Sequence, residues 1–149
     1  LGSVVPGLED IAQLTEDGSP TIHLGFSDRS VPIALAGEGI RALAQIAFEL
    51  AMRSGGLALL EEPEIHQHPA SLRRTAKLIL AAARRNEQIV LSTHSLELID
   101  YLLAESTPED LAQLSVYRLM LDPQGTLKSS RFQGEDVVVA RRELEEDLR

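Results

Sequence analysis

The sequence predicts an α/β fold in which a parallel sheet is accompanied by flanking antiparallel β-hairpins. Two short apolar runs, "LALL" and the start of "QIVLSTHS", are typical of buried parallel strands. Amphipathic helical patterns come before, between and after these runs. Strand patterns separated by turn residues occur near both ends of the chain. We therefore expect a single domain over 1–149, with a β-rich part at 1–35, a central part at 36–104, and a hairpin with a terminal helix at 105–149.

The first 35 residues predict a small antiparallel unit. The strand patterns "DIAQL" and "TIHLGF" flank the turn-forming "TEDGSP", and a third strand, "VPIAL", follows "SDRS".

The central part predicts three helices and two strands. In the first helix, apolar residues recur every three or four positions: Ile40, Leu43, Ala44, Ala47, Leu50 and Ala51. Ser54, Gly55 and Gly56 end it, and "LALL" follows. The second helix has Pro69 in its first turn and Arg84, Arg85 and Asn86 at its end. Its predicted buried positions are Leu72, Ala76, Ile79 and Ala83. "LELIDYLLA", after the second strand, predicts the third helix.

The last part predicts a hairpin and a charged terminal helix. "SVYRLML" and "TLKSSRF" flank the turn sequence "DPQG", and "EDVVVARRELEEDLR" has the pattern of a helix. We expect Tyr101 and Tyr117 to pack in the core or at an interface.

Composition excludes several classes of function. The net charge of −9 disfavours broad nucleic-acid binding by this chain, because an acidic surface repels phosphates. The absence of cysteine excludes disulfides and thiolate metal sites. No run approaches the ~20 apolar residues of a membrane span, and no secretory signal is evident, so we expect a cytoplasmic protein without membrane contact. Because the chain begins with Leu1 rather than Met, we expect it to be part of a longer protein.

Polar residues follow both predicted parallel strands. "LALL" leads into Glu61 and Glu62, and the second strand leads into Ser92, Thr93, His94 and Ser95. Ligands of open α/β sheets bind beyond the carboxyl ends of the strands, so neighbouring strands would bring the acids and His94 into one crevice. Successive residues point to opposite sides, so one acid can face a metal ion and the other a nucleophilic water. This arrangement suits phosphoryl transfer, in which catalysis is mostly positioning and charge stabilisation.

Four segments in order resemble the motifs of ABC-type ATPases. "AGEGIRAL" resembles the signature motif, "LALLEEPE" the Walker B motif, "EIHQHP" the D-loop and "STHS" the switch-histidine region. The resemblance covers residues 31–100. It points to the SMC-related branch, close to the overcoming-lysogenization-defect family and the AAA15-type ATPases.

The resemblance implies a role for each motif, with ATP and Mg²⁺ as cofactors. It puts Glu61 on the Mg²⁺ side, makes Glu62 the base that activates water, and makes His94 the switch that senses the γ-phosphate. Gly37, Glu38 and Gly39 would contact ATP held by the opposite protomer of a homodimer; glycines allow close approach and a helix N-terminus attracts anions. In the complete protein, DNA maintenance or defence against phage is implied.

Three departures from the family pattern matter. Glu61 stands where Asp is usual, and Ala36 where a signature serine is common. No "GxxxxGK[ST]" phosphate loop occurs in the chain. The resemblance therefore implies a partner, the N-terminal Walker A half of the same protein, without which this chain should bind ATP weakly and hydrolyse it negligibly.

Two other functions remain open from the residues alone. The first is a non-catalytic interaction module of the same fold. The second is a metal-dependent hydrolase or nuclease, whose ligands would come from Glu61, Glu62, Glu64, His66, His68 and His94. In a purely structural interpretation, the acid pair lies in a solvated loop and His94 forms a hydrogen bond at a strand end.

Overall fold

A computed structural model describes residues 7–52, 55–143 and 146–148. Strands β1 (Leu8–Glu16), β2 (Ser19–Phe26) and β3 (Ser30–Pro32) form an antiparallel sheet in that order. Asp17 and Gly18 connect β1 to β2 with φ of 49° and 80°, as a two-residue hairpin turn of the Asp-Gly type requires. The predicted β-rich unit is therefore confirmed.

The third predicted strand was too long. β3 ends at Pro32, and Ile33–Leu35 form a turn of 3-10 helix instead of continuing "VPIAL" as a strand. Proline has no N–H to donate to the ladder, so pairing with β2 stops where Pro32 faces His23.

The central part alternates helices with two parallel strands. Its elements are α1 (Glu38–Ala51), β4 (Gly56–Glu61), α2 (Pro69–Ala83), β5 (Glu87–Ser92) and α3 (Leu96–Glu105). β4 and β5 are hydrogen-bonded neighbours, paired in register from Gly56 with Glu87 to Glu61 with Ser92. The predicted parallel pairing is thus confirmed. Of the residues predicted to end α1, Ser54 lies outside the described part of the chain.

Helices α1, α2 and α3 build the main core against β4 and β5. Its buried members are Ile46, Leu50, Ala58, Leu72, Ala76, Ile79, Leu80, Ala82, Leu98 and Leu102. Three predicted core positions are wrong, since Ile40, Ala51 and Ala83 are exposed. Ala51 and Ala83 have the right helical phase but are the last residues of α1 and α2, where the chain turns away; Ile40 lies in the first turn of α1.

The prediction that "LALL" is fully buried is also wrong. Leu59 is 71% exposed, Val90 beside it is 51% exposed, and Leu57 is exposed as well. Ala58 and Leu60, on the other face, pack into the core. The helices of the described chain therefore cover one face of the β4–β5 pair. We call the other face, with Leu57, Leu59 and Val90, the open face.

The C-terminal part contains α4 (Pro108–Gln113), the hairpin of β6 (Ser115–Leu121) and β7 (Leu127–Gln133), and α5 (Glu135–Arg142). The hairpin was predicted correctly, whereas α4 was not predicted because six residues are too short for a periodic pattern. The terminal helix ends at Arg142, earlier than predicted; Leu144, Glu145 and Arg149 lie outside the described residues. Tyr101 packs against the core, but Tyr117 is exposed on the hairpin beneath the guanidinium of Arg131. Among the described residues, none of the helices combines the length and the hydrophobicity that a membrane span requires.

Candidate active site

The carboxyl ends of β4 and β5 lie side by side, so the polar residues that follow them meet at one edge of the sheet. The pairing continues one step past β4, where the Glu62 N–H donates to the Ser92 carbonyl at 2.9 Å. Glu62 has a φ of 42°, in the left-handed region that non-glycine residues rarely adopt. This conformation turns the chain away from the sheet at the second acid.

Glu62 and His94 face one another at this edge. Glu62 Oε1 lies 3.5 Å from His94 Nε2, and the two side chains are 37% and 84% exposed, respectively. A contact this exposed contributes little to stability, because water competes with it. Both groups are therefore accessible to a ligand.

Glu61 lies on a different side of the strand. Side chains alternate along β4, so Glu61 shares the open face with Leu57 and Leu59. It is exposed and pairs in register with Ser92. The two successive acids thus diverge, one toward the open face and one toward His94.

A compact loop connects the acids to α2. We call residues 62–68 the acid turn. Pro63 is buried, and its carbonyl accepts a bond from Gln67 Nε2 at 2.6 Å. Gln67 Oε1 accepts from the hydroxyl of Thr75, a fully buried residue of α2, at 2.7 Å. This chain of bonds attaches the acid turn to the core.

Glu64 joins the acid turn to the loop after β5. Its Oε1 accepts from the Thr93 hydroxyl at 2.6 Å and from the His94 backbone N–H at 2.9 Å. The Thr93 Oγ1 in turn accepts from the Ser95 N–H at 2.9 Å. Ser95 then caps α3, because its side chain accepts from the Leu98 N–H at 3.1 Å.

The histidines of the acid turn have separate structural contacts. His68 caps α2, accepting from the Ala70 N–H at 3.3 Å through Nδ1. His66 has a φ of 61° and places Nδ1 3.4 Å from Glu38 Oε2. Across residues 7–52, 55–143 and 146–148, no three His, Asp or Glu side chains are grouped so that they could hold a metal ion. The alternative in which Glu64, His66, His68 and His94 form a metal centre is therefore not supported.

The predicted signature segment lies at the start of α1. Gly37 caps the helix and Glu38 is its first residue. A side chain on Gly39 would place its Cβ 3.0 Å from the His66 carbonyl, so glycine allows the two backbones to approach. The signature segment thus contacts the acid turn of its own chain. Its contact with ATP of an opposite protomer stays a prediction.

The supporting bonds of this edge were not predicted from the sequence. Glu64 was expected within the Walker B-like and D-loop-like segments and as an alternative metal ligand, Gln67 only within the D-loop-like segment, and Thr75 had no predicted role. A buried threonine in α2 and a carboxylate shortly after a strand end are compatible with many partners, so only the fold reveals which bonds they form.

The fold is P-loop NTPase-like and is similar to that of the head domains of SMC ATPases. A structure from a study of ATP-driven dimerisation and DNA-stimulated activation of SMC ATPases matches with a TM-score of 0.68 and 16% identity. The match covers 98% of this chain and 86% of that one. An Smc head bound to the C-terminal winged-helix domain of ScpA matches with a TM-score of 0.67 and 18% identity, over 90% of this chain and 40% of that one. A third match is an Smc head with an extended coiled coil, bound to the ScpA C-terminal domain derived from Pyrococcus furiosus, with a TM-score of 0.64 and 17% identity over 97% and 35% of the chains.

Similarity in sequence is more specific than similarity in fold. The model of the AAA_15 family, an AAA ATPase domain, matches residues 6–99. The uncharacterised protein MJECL11 of Methanocaldococcus jannaschii is 34% identical over 114 residues, which are 76% of this chain and 98% of that protein. The chain therefore belongs to the AAA_15 family of AAA ATPase domains. The predicted ABC- and SMC-related class is confirmed, whereas the closer likeness to the overcoming-lysogenization-defect family stays a prediction.

Proposed function

We propose that this chain supplies the water-activating, metal-side and signature residues of an ATPase head, and that it hydrolyses ATP when a phosphate-loop half completes it. The observation that carries the proposal is the shared edge of β4 and β5, where Glu62 Oε1 lies 3.5 Å from His94 Nε2. A carboxylate and an imidazole placed side by side at this exposed edge can both bind a water molecule that lies in front of them. Family membership supports ATP as the substrate.

Each residue of the edge has a proposed task. Glu62 accepts the proton of the attacking water, and the His94 imidazole orients that water and the terminal phosphate. Glu61 would hold Mg²⁺ from the open face. This fits the chemistry of Mg²⁺, which takes one or two carboxylates and completes its shell with water and substrate phosphates rather than with an all-protein cage. When bound, the ion would neutralise charge on the phosphate oxygens.

The open face is the proposed contact for the phosphate-loop half. Parallel sheets normally have both faces covered, and here Leu59 and Val90 remain largely exposed in the described chain. Because Glu61 shares this face, a half that buries the leucines would also bring its phosphate loop to the Mg²⁺-side carboxylate. In the absence of that half, the chain should not turn over ATP.

The signature segment is the proposed contact with a second head. Gly37, Glu38 and Gly39 begin α1, and the N-terminus of a 14-residue helix favours anions. The proposal is a homodimer in which each head offers these residues to ATP held by the other. One solved structure similar in fold comes from work on ATP-driven dimerisation, which supports this arrangement. A role in DNA maintenance or phage defence belongs to the same proposal; with a net charge of −9, contacts to DNA would fall to other parts of the complete protein.

The test is to measure the release of phosphate from ATP by the complete protein that carries the substitution Glu62→Gln. Glutamine keeps the shape of the side chain but cannot accept the proton, so we expect kcat to fall by about 10²- to 10⁴-fold. ATP binding, measured by calorimetry, should persist. Glu49→Gln is the matched control: it removes the same charge from an exposed position on α1, where Glu49 bonds to Gln45, and should leave kcat unchanged. Equal rates of hydrolysis by the unmodified protein and by the Glu62→Gln variant would reject the proposed base.

A further inference from the structure

We propose that Glu64 is a positioning residue, which fixes the loop that carries His94 relative to Glu62. This inference rests on the proposed function for its catalytic consequence, but its structural part can be tested separately. The two bonds that Glu64 Oε1 accepts, from Thr93 and from the His94 N–H, are the observation that suggests it.

The imidazole of His94 has little packing to hold it in place. Its side chain is 84% exposed, and its contact with Glu62 is long at 3.5 Å. The position of the ring therefore depends on the backbone of residues 93–95. Glu64 bonds to that backbone at His94 itself and, through the Thr93 hydroxyl, to the Ser95 N–H.

Glu64 is itself well placed to act as a fixed point. It lies between Pro63, which is buried, and Gln67, whose amide connects the acid turn to Thr75 in the core. Its hydrogen bonds are assisted by the charge of the carboxylate, which makes them stronger than bonds to a neutral acceptor. A movement of the acid turn would therefore move His94 with it, and the geometry between Glu62 and His94 would be kept.

The two oxygens of Glu64 differ in their contacts. Oε1 accepts both bonds from the loop after β5, whereas Oε2 is buried and has no hydrogen-bond partner among the described residues. The loop is therefore held through Oε1 alone, a position that an amide oxygen can also occupy.

The catalytic test compares three variants in the complete ATPase. Glu64→Ala removes both bonds, and we expect kcat to fall by about 10- to 100-fold, because small misplacements of a reacting group have effects of this size. The KM for ATP should stay nearly unchanged, since a positioning role gives Glu64 no contact with the substrate. Glu64→Gln keeps an acceptor for Thr93 and His94 and should recover most of the activity. Glu97→Gln is the control: it removes a nearby negative charge whose side-chain partner is Tyr101 on the same helix.

The structural test needs no hydrolysis. In NMR spectra of the chain, the His94 backbone amide proton should resonate at low field, as expected for a donor to a carboxylate. It should move upfield in Glu64→Gln, whereas Glu97→Gln should leave it in place. An amide resonance that is unchanged in Glu64→Gln would overturn the positioning role, even if Glu64→Ala failed to fold.

The outcomes also separate this inference from the proposed function. If Glu62→Gln abolishes turnover while Glu64→Ala has no more effect than Glu97→Gln, the positioning role is overturned and the ATPase proposal stands. If Glu64→Ala raises KM and leaves kcat unchanged, Glu64 acts in binding and the inference is again overturned. If Glu62→Gln retains full activity, the proposed base is wrong, and the amide resonance of His94 alone decides whether Glu64 holds the loop.

Discussion

Leucines and acidic residues occur on both sides of the β4–β5 pair, but their surroundings differ. On the helix side, Leu98 is fully buried, and Glu105 and Asp110 bond to arginines in α2 and at its C-cap. On the open side, Leu59 is largely exposed and Glu61 is solvent-accessible. In the described part of the chain, these leucine and acidic side chains are buried or paired on the helix side. On the open side they are exposed to solvent. Groups exposed in this way are those available for a ligand or another protein segment.

The largest expected difference between the sides is the loss of stability on replacing a leucine. Leu98→Ala should lower the free energy of unfolding by about 2–5 kcal/mol, because it leaves a cavity among α1, α2 and α3. Leu59→Ala, the same change at a residue that is 71% exposed, should alter it by less than about 0.5 kcal/mol. Urea denaturation of the chain measures both. A large loss of stability in Leu59→Ala would mean that the open face is covered within this chain, contrary to the structure.

The next largest effect on stability is expected from an acidic residue on the helix side. The Arg84 guanidinium bonds to Asp110 and holds the pKa of that carboxyl at about 2, below its usual 3.8. A carboxyl whose pKa is lower in the folded state stabilises the fold above its unfolded pKa, and that contribution is lost as the pH falls toward the folded pKa. Asp110→Asn should therefore cost roughly 1–2 kcal/mol at pH 7, allowing for screening by solvent. The difference from the unmodified chain should shrink between about pH 4 and about pH 2.

The control for this prediction is Asp28→Asn. Asp28 also contacts an arginine, Arg29, but both side chains are mostly exposed, so the substitution should be nearly neutral. Equal effects of the two substitutions, or an Asp110→Asn effect that does not vary with pH, would show that the bond between Asp110 and Arg84 does not stabilise the fold.

The elements with long periodic patterns could be predicted from the sequence, and their surroundings could not. The apolar runs of β4 and β5 and the stripes of α1 and α2 indicated the α/β order, and "EDG" indicated the first hairpin. The exposure of Leu59 could not be predicted, because an apolar strand has the same sequence whether the segment that covers it is present or not. The six-residue α4 had only a local cap, Thr107 with Asp110, as its signal.

In the candidate site, too, some features could be predicted from the sequence and others could not. The meeting of Glu62 with His94 follows from the parallel pairing, which the two strand ends predicted. The bonds that Glu64 accepts from Thr93 and from the His94 N–H depend on the conformation of the acid turn, in which Glu62 and His66 have positive φ. Backbone conformations of this kind depend on contacts such as the bond that Gln67 donates to the Pro63 carbonyl and the bond that it accepts from Thr75, and no sequence pattern specifies them.

The smallest predicted effect on stability concerns the backbone at Glu62, a residue of the exposed edge. A non-glycine residue in the left-handed region costs about 1–2 kcal/mol, and Glu62 has a φ of 42°. Glu62→Gly should relieve that strain and raise the free energy of unfolding by up to about 1 kcal/mol, after the greater entropy of glycine in the unfolded chain is counted. Glu62→Gln keeps the strain and should be neutral in the same denaturation experiment, while both variants lose hydrolysis in the complete protein. An equal or lower stability of the glycine variant would mean that the Glu62 side chain holds the acid turn in place and stabilises the fold.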